Sequence, residues 1–289
     1  MKSYHPYAFL TILFWSFGFV FTRLAVQYYS PLALGFLRHA AASAAIIIFA
    51  LTAKISLPKG KDIIWFAFAG FTGFFLYMVA FNSASLYVSA ATSSFVIATV
   101  PLITSILARY IYSEKLNPKQ WIAIAIECIG IGVLTLYGRE FTLNAGILWL
   151  IAAAFAMSIY NIIQRKLTRT YKAVHSTTYS ILFGTLLLSV YSPRAIVEIQ
   201  SAPIHQILIV LAMGIFSSAI AFICWSKAME IADNTASVSN YMFFTPFLTT
   251  ILAFLVAGEK PELSSIIGGV VIILGAVMFN YYKNKIVQQ

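Results

Sequence analysis

The amino-acid sequence predicts an all-α polytopic membrane protein of ten transmembrane helices, arranged as two inverted five-helix repeats. Three observations lead to this fold class. Hydrophobic residues make up 61% of the chain and charged residues only 10%, which is typical of proteins that reside in a lipid bilayer. Ten apolar stretches have about 20 residues each, the length that a helix needs to cross the hydrocarbon core. The second half of the chain also repeats the first at an offset of 145 residues.

The apolar stretches follow one another along the chain almost without interruption. Short polar segments such as "KISLPKGKD", "SEKLNPKQ" and "EKPELS" separate them, so no soluble domain is large enough to carry a separate activity. The first stretch is too long for a secretory signal and lacks a small-residue cleavage pattern, and we interpret it as an uncleaved span. The predicted spans are residues 7–28, 32–53, 62–82, 88–111, 119–138, 144–165, 175–192, 204–226, 235–257 and 262–282.

Lysine and arginine are distributed unequally between the two alternate sets of connecting segments. One set holds 14 of them, and the other holds only Arg139, Arg194 and Lys260. Because cytoplasmic loops carry the excess of Lys and Arg, we expect a multi-pass protein of the cytoplasmic (inner) membrane with both termini in the cytoplasm. The formal net charge of +10 is therefore mostly a topology signal. No soluble face collects this charge, so we expect no nucleic-acid partner.

The internal repeat is most visible in the fourth and ninth spans. "TVPLITSILARYIYSEK" at 99–115 returns as "FTPFLTTILAFLVAGEK" at 244–260. The same offset also pairs identical residues elsewhere: Ala91 with Ala236, Ser94 with Ser239, Gly130 with Gly275 and Tyr137 with Tyr282. Each half carries five spans, and an odd number sends the second copy into the membrane in the opposite sense. We therefore expect two inverted five-helix units, residues 1–140 and 141–289, an arrangement typical of secondary transporters.

These segments resemble a known family. "ILFWSFGFVFTRLAVQYYSPLALGFLRHAAA" in spans one and two, "ATSSFVIATVPLITSILARYIYSEKL" in span four and "NTASVSNYMFFTPFLTTILAFLVAGEK" in span nine look like the EamA type of the drug/metabolite transporter superfamily. The resemblance covers the chain as two EamA-like units and implies a ten-helix inverted-repeat carrier. Two departures stand out. The family's usual Gly-Glu is Ser113-Glu114 in the first half, and Phe155 occupies a position where the family often has Trp.

Polar and aromatic residues inside the presumed core spans are the candidates for binding the cargo. A mostly apolar cavity with a few hydrogen-bonding groups suits a small amphipathic solute. Arg38 is added because a charge inside an apolar run is costly unless it pairs or faces water. It is interpreted either as an anchor for an anionic group or as a ligand for carbonyls at a helix end. The other candidates are Trp15, Tyr77, Asn82, Ser94, Tyr160, Asn161, Gln164, Trp225, Asn240 and Tyr241.

Other residues are candidates for coupling and gating. Glu127 is the one acid near mid-membrane, and proton coupling, structural hydrogen bonding and a subunit contact are all open roles for it. Pro101 and Pro246 interrupt spans four and nine and are predicted hinges, because proline frees a carbonyl one turn earlier and bends the helix. The Glu-Lys pairs at 114–115 and 259–260 are either interfacial pairs or gate latches.

The function predicted from these features is secondary transport of a small organic metabolite by alternating access. The cargo is amino-acid-like, nucleoside-like or drug-like, and the habit of the resembled family favours export. The alternative is a membrane-embedded enzyme acting on a lipid or lipophilic substrate, although no catalytic motif supports it. A channel is a weaker alternative, because no filter-like segment or charged ring is found. We expect no cofactor and no metal. The expected partners are the solute and the bilayer, with a homodimer left open.

Overall fold

The computed structural model describes residues 3–52, 55–88, 93, 96–136, 145–257 and 263–287. This part of the chain is helical, with no β-strand in it. The helices are α1 (His5–Ala25), α2 (Pro31–Thr52), α3 (Ile63–Gly70), α4 (Tyr77–Ala84), α5 (Val100–Tyr112), α6 (Pro118–Leu136), α7 (Ala145–Thr168), α8 (Ala173–Leu188), α9 (Ser192–Ser201), α10 (Ile204–Ala212), α11 (Ala221–Ile231), α12 (Thr235–Ser239), α13 (Thr245–Ala257) and α14 (Leu263–Val287).

Several of these helices run on into each other and form longer rods. A π-helical stretch, Phe71–Leu76, joins α3 to α4, and a second one, Met213–Ile220, joins α10 to α11. A 3₁₀ segment, Asn240–Phe244, joins α12 to α13. Seven helical stretches in the described part are long and apolar enough to cross a membrane: His5–Ala25, Pro31–Thr52, Gly60–Ala84, Ala145–Thr168, Ala173–Ser201, Ile204–Ile231 and Thr235–Val256. Val100–Tyr112 and Ile266–Phe279 are shorter apolar helices.

Most predicted spans agree with the helices to within a few residues. The fourth span differs. A single helix was predicted over 88–111, whereas α5 begins only at Val100. A turn at Ala98 and Thr99 precedes it, and Pro101 lies in its first turn. Proline is favoured in a first turn, because the N–H that it lacks has no partner within the helix there.

The distribution of residues between the interior and the surface is that of a membrane protein. Large apolar side chains such as Ile48, Leu148 and Leu186 are more than 60% exposed, whereas Thr11, Asn161 and Gln164 are fully buried. Water is not available in the hydrocarbon region, so polar side chains gain by pairing inside the bundle. Phe155, the departure from the family's Trp, lies on the outer surface with half of its area exposed.

Helices of the two halves pack against each other throughout the bundle. Helix α1 contacts α11 and α13, and α7 contacts α4 and α5. Helix α6 runs along α14, where glycines allow a close approach. A Cβ atom added to Gly130 or Gly275 would lie 2.8 or 2.5 Å from the facing helix. The closest residues are Gly130 with Gly268 and Ile272, and Gly275 with Ala123 and Glu127.

The end of α5 accounts for one departure from the family pattern. Ser113 has φ 55°, and it is the only non-glycine residue with positive φ in the described part of the chain. Its N–H and that of Glu114 both donate to the carbonyl of Ala108. This left-handed C-cap favours glycine, which has no Cβ to clash with the backbone. The glycine of the family pattern therefore has a geometric reason.

We expect Ser113→Gly to stabilise the protein. A non-glycine residue in the left-handed region costs about 1 kcal/mol, which glycine avoids. The melting temperature of the purified protein in detergent measures the effect, and it should rise. Ser113→Ala is the matched control, because it keeps the Cβ and should bring no gain. An equal rise in both variants would show that the serine hydroxyl, and not the backbone, is responsible.

Candidate functional site

A cavity lies near the middle of the bundle, between helices of both halves. The space between its walls, including the part open to solvent, is about 570 Å³. Three of the predicted site residues, Trp15, Arg38 and Tyr77, line it. The rest of the described lining consists of Gly18, Phe19, Thr22, Met78, Phe81, Ile97, Ala98, Met157, Phe222, Met242 and Thr245. We call this space the central cavity.

The helical period brings the lining residues of α1 onto one face. Trp15, Gly18, Phe19 and Thr22 follow the spacing i, i+3, i+4, i+7, which keeps side chains on one side of a helix. Trp15 packs against two aromatic rings of α11, with centroid distances of 5.1 Å to Phe222 and 5.0 Å to Trp225. One wall of the cavity is therefore aromatic and is built from both halves.

Arg38 is the only charged side chain in the described lining of the central cavity. Only 7% of its area is exposed. Its Nε donates to Ser218 Oγ at 2.7 Å, and its Nη2 donates to the carbonyl of Ser217 at 3.2 Å. Both acceptors belong to the π-helical stretch before α11, so these bonds fix the plane of the guanidinium group. Arg38 therefore lines the cavity and also binds a backbone carbonyl, which lies inside a helical stretch and not at a helix end. Its role as an anchor for an anionic group stays a prediction.

The central cavity continues towards the ends of α1 and α4. A second space of about 690 Å³ shares Phe19, Thr22 and Phe81 with it and is also lined by Arg23, Val26, Ser85, Val88 and Ser93. We call this second space the vestibule. Its position next to the α1–α2 connection puts it on the side that the charge bias predicts to be outside. Arg23 is exposed and lies in the vestibule wall.

Polar side chains close the opposite side of the central cavity, and we call them the closing layer. Trp225 Nε1 donates to Asn161 Oδ1 at 2.9 Å, and Asn161 Nδ2 donates to Thr104 Oγ1 at 3.2 Å. One turn further along α7, Gln164 Nε2 donates to Ser226 Oγ at 2.5 Å. Ser226 also hydrogen-bonds Thr177 at 2.6 Å. All these side chains are buried, so the layer separates the cavity from the helix ends beyond it.

Tyr160 lies in the interior beside the closing layer but does not line the central cavity. Its ring packs edge-to-face on Phe74, with a centroid distance of 5.4 Å, and on Phe222 at 5.6 Å. Gly73 makes room for it, because a Cβ atom there would lie 2.3 Å from the ring.

A charged cluster lies beyond the closing layer and joins the two halves. The Glu114 carboxylate accepts hydrogen bonds from the N–H and the Oγ1 of Thr235, both at 2.8 Å. Its Oε1 lies 4.0 Å from Nε of Arg165. The Arg165 guanidinium donates to the carbonyls of Met229, Ala232 and Asp233 at 2.5–2.7 Å, at the end of α11. The C-terminal end of a helix leaves such carbonyls unsatisfied and carries a partial negative charge, which suits a cation.

The connecting segments at this end also join the two halves. The Tyr171 hydroxyl donates to Asp62 Oδ2 at 2.6 Å, and the N–H of Lys59 donates to the Tyr171 oxygen at 3.1 Å. The hydrogen bond to the Asp62 carboxylate raises the pKa of the Tyr171 hydroxyl, because ionisation would remove the donated proton. The N–H of Ser56 donates to His175 Nε2 at 3.0 Å.

The remaining candidates lie away from the central cavity. Asn82 donates to the carbonyl of Pro31 at 2.8 Å, at the start of α2. The Tyr241 hydroxyl hydrogen-bonds His5 Nδ1, at the start of α1. Asn240 Nδ2 donates to Glu127 Oε1 at 3.1 Å, between α6 and the 3₁₀ segment. Ser94 lies outside the described residues.

The two prolines occupy equivalent positions in the fold. Pro101 is the second residue of α5, directly after the turn at Ala98 and Thr99. Pro246 is the second residue of α13, directly after the 3₁₀ segment. Each proline thus begins the regular part of its span after an irregular part.

Several lining residues carry no signal in the sequence. Phe81, Met157, Phe222 and Met242 are apolar residues within apolar spans, and nothing in their spacing separates a cavity wall from a lipid-facing surface. Ser217 and Ser218, which hold Arg38, could have been noticed as adjacent hydroxyls inside a span. No group of three His, Cys, Asp or Glu side chains able to hold a metal ion occurs among the described residues.

Known proteins resemble this chain over most of its length. The profile of the EamA-like transporter family matches residues 2–136 and 144–281. The uncharacterized transporter YdfC of Bacillus subtilis (strain 168) is 30% identical over 276 residues, 95% of this chain and 89% of that protein. A probable terminal-alkyne amino-acid exporter of Streptantibioticus cattleyicolor is 26% identical over 274 residues, 94% of this chain and 91% of that protein. One crystal structure, 21% identical, shares the fold with a TM-score of 0.80 over 97% of this chain and 99% of that one.

Proposed function

Because this chain belongs to the EamA-like transporter family, we propose that it is a secondary transporter that moves a small carboxylate-bearing metabolite by alternating access. The observation that carries this proposal is the central cavity, in which Arg38 is the one charged group of the described lining. The family is one of transporters, so an enzyme acting on a lipid is no longer retained as an alternative.

The chemistry of the cavity favours a small amphipathic anion or zwitterion. A guanidinium group held in a fixed plane matches the two oxygens of a carboxylate. Trp15, Phe19, Phe81 and Phe222 offer an apolar surface for the rest of the molecule. An amino-acid-like cargo fits these features best, and the relative named as an amino-acid exporter supports both this cargo class and export.

We propose ten transmembrane helices in two inverted five-helix units, residues 1–140 and 141–289. The contact between α6 and α14 supports a two-fold relation. Gly130 faces positions 268 and 272, and Gly275 faces positions 123 and 127. Adding 145 to the three first-half positions, 123, 127 and 130, gives the three second-half positions, 268, 272 and 275, which is the mark of a self-complementary contact. The family profile also matches the chain in two stretches.

The irregular helical segments also support two inverted units. Shifting the π-helical stretch at 71–76 by 145 gives 216–221, which overlaps the second stretch at 213–220. The two prolines differ by 145 and start equivalent helical segments. We propose that the breaks before Pro101 and Pro246 are the hinges. Labelling of cavity cysteines in Pro101→Ala and Pro246→Ala would test this, because inverted hinges should bias access in opposite directions.

For orientation we propose that the protein lies in the cell membrane with both termini in the cytoplasm. The 14 to 3 distribution of Lys and Arg supports this proposal. The vestibule then opens to the outside, and the closing layer and the charged cluster lie on the cytoplasmic side. Reporter fusions within segments 55–62 and 169–172 should report a cytoplasmic location, and a fusion at 201–204 an external one. A cytoplasmic fusion found outside, or the external fusion found in the cytoplasm, would contradict the orientation.

Counterflow in proteoliposomes tests the proposed function. Vesicles loaded with one unlabelled amino acid should transiently accumulate the same labelled compound, because a carrier exchanges solute across the membrane faster than net flow dissipates the gradient. Amino acids of different side chains are tried in turn, and empty vesicles are the control. Equilibration without accumulation would indicate a channel. The absence of any flux of carboxylate-bearing solutes, with flux of solutes that lack the group, would contradict the proposed cargo class.

A further inference from the structure

Glu127 and Asn240 form a buried polar contact outside the central cavity. Glu127 of α6 is fully buried, and Asn240, at the start of the 3₁₀ segment, is 3% exposed. Asn240 Nδ2 donates to Glu127 Oε1 at 3.1 Å. The backbone of α14 closes the other side, since a Cβ atom added to Gly275 would lie 2.5 Å from Glu127 Cγ. The two side chains therefore form an enclosed polar pair.

Each member of this pair has one oxygen without a hydrogen-bond partner. Glu127 Oε2 and Asn240 Oδ1 are both buried and unpaired within the described part of the chain. An ionised carboxylate offers only acceptors, so it cannot satisfy the amide oxygen. If the amide oxygen and nitrogen of Asn240 exchange places, the pair still lacks one hydrogen atom for its hydrogen bonds. One hydrogen atom is missing from the pair, and buried polar atoms rarely stay unpaired.

A proton on Glu127 would supply the hydrogen atom that both unpaired atoms lack. The acid O–H at Oε2 then donates to Asn240 Oδ1, while Oε1 continues to accept from Nδ2. Acid and amide thus form a closed pair with two parallel hydrogen bonds. All four atoms are satisfied without any other group.

Among the described residues, the middle parts of the surrounding helices offer no charge that would stabilise the ionised form. Helices α12, α13 and α14 pack near this site, and residues 235–256 and 266–279 contain no Asp, Glu, His, Lys or Arg. Helices α1 and α5 also contact the 3₁₀ segment, and their charged or histidine side chains lie at the helix ends: His5 at the start of α1, and Arg23 and Arg109 in the last turns of α1 and α5. The titratable groups nearby are Cys128, next in the chain, and Tyr241, whose hydroxyl is bonded to His5. Lys119 lies eight residues earlier on α6, about 12 Å along the helix. A buried carboxylate without a partner of opposite charge is strongly disfavoured.

We propose that Glu127 and Asn240 form a proton-binding site in which the neutral acid pairs with the amide, and that the loss of this proton moves the 3₁₀ segment of the ninth span. On release, the O–H bond of Oε2 breaks, its electron pair remains on the carboxylate, and the proton passes to water. The carboxylate then repels Asn240 Oδ1 and requires new donors. Asn240 begins the segment that carries Met242 and leads into Thr245, and both of these residues line the central cavity.

Proton occupancy is therefore linked to the shape of the cavity wall. The consequence for coupling, namely that a proton gradient drives the cargo, rests on the proposed transport function. Proton binding itself does not rest on it. The two parts are tested by measurements that need no cargo.

Infrared spectroscopy of the purified protein tests proton binding. The C=O stretching band of a neutral carboxylic acid should be present in the wild type at neutral pH and lost in Glu127→Gln. Glu127→Gln keeps both hydrogen bonds, because its amide donates and accepts as the neutral acid does, so it should fold normally. Glu127→Asp is the matched control and should retain an acid band at a shifted frequency. A spectrum unchanged by Glu127→Gln would overturn the proposal.

Cysteine labelling tests the movement. Thr245→Cys is introduced with Cys128→Ala and Cys224→Ala, which remove the two native cysteines. Thr245 suits this purpose, because its Oγ1 has no hydrogen-bond partner among the described residues. The rate at which a membrane-impermeant maleimide labels this cysteine is measured as the pH is raised. The same rate is measured in a second protein that also carries Glu127→Gln. The ratio of the two rates should change with pH, and a constant ratio would overturn the movement. Failure of counterflow alongside positive results here would refute transport and leave the proton site intact.

Discussion

Replacing Arg38 by alanine is expected to weaken transport of a carboxylate-bearing cargo about 100-fold, because removing one partner of a buried charge pair costs about 2–5 kcal/mol. Arg38 is the only charge in the described lining of the central cavity, so no neighbour there can replace it. The concentration dependence of counterflow in proteoliposomes measures the loss. The amount of protein in the membrane and its elution profile in detergent show whether the variant folds.

Arg38→Lys should have an intermediate effect. Lysine keeps the positive charge, but it lacks the Nε group that donates to Ser218 and the planar fork that matches two carboxylate oxygens. We therefore expect a loss of about tenfold, smaller than that of the alanine variant. Equal losses in both variants would show that orientation matters more than charge.

Two comparisons distinguish cargo binding from a structural role of Arg38. Arg23 lies exposed in the vestibule, where screening by water and salt weakens its interactions, so Arg23→Ala should have a smaller effect that disappears at high salt. The amine that lacks the carboxylate of each amino acid should be transported poorly by the wild type and no worse by Arg38→Ala. If Arg38→Ala lowers transport of the acid and the amine equally, Arg38 does not bind the carboxylate.

The sequence predicted the helices well where a regular period could be followed. Spans one, two and eight were located within a few residues, because about 20 apolar residues have one favourable structure in a bilayer. The fourth span was predicted as one helix, because apolar residues and a proline give no indication of where a turn precedes the proline. The π-helical stretches were not predicted either, since they depend on packing between spans and not on a local signal.

The candidate site residues share a polar or aromatic character, but the structure places only some of them at the central cavity. Trp15, Arg38 and Tyr77 line the central cavity. Asn82, Asn240 and Tyr241 have the same polar character, but they bind a backbone carbonyl, an acid and a histidine elsewhere. Polarity within a span predicts that a residue avoids lipid. The partner that it finds depends on which helices are neighbours, and a single sequence does not contain that information.

Under the proposed transport function, the cavity and its described surroundings correspond to a conformation with access on one side. The vestibule extends from the central cavity past Phe19 and Phe81, whereas the closing layer and the charged cluster lie on the other side. Alternating access requires that the second side opens when the first closes. Glu114 is the obvious residue to examine, because its carboxylate from the first half bonds only groups of the second half in the described chain.

We expect Glu114→Ala to open the closed side. The change removes two hydrogen bonds to Thr235 and the carboxylate near Arg165, and hydrogen bonds to a charged group contribute about 1.5–3 kcal/mol. Losing that contribution in one state shifts a two-state equilibrium about 10- to 100-fold. Ser226→Cys, in the background without Cys128 and Cys224, reports the opening, because residue 226 lies in the closing layer. Its labelling by an impermeant maleimide from the cytoplasmic side should accelerate by the same factor.

Lys115→Gln is the matched control for Glu114→Ala, because it removes a neighbouring charge that is exposed, and it should leave the labelling rate unchanged. The labelling rate of Glu114→Gln should fall between those of Glu114→Ala and Lys115→Gln. Its amide oxygen still accepts a hydrogen bond from Thr235, but its charge is gone. The closed side should then become accessible in the order Glu114→Ala, Glu114→Gln, wild type. If Lys115→Gln accelerates labelling as much as Glu114→Ala does, general surface charge controls the equilibrium and the Glu114 contact does not hold the halves together. If neither variant changes the rate, the other polar contacts between the halves at this end keep it shut, namely Asn161 with Thr104 in the closing layer and the bonds of Tyr171 to Asp62 and of Ser56 to His175 in the connecting segments.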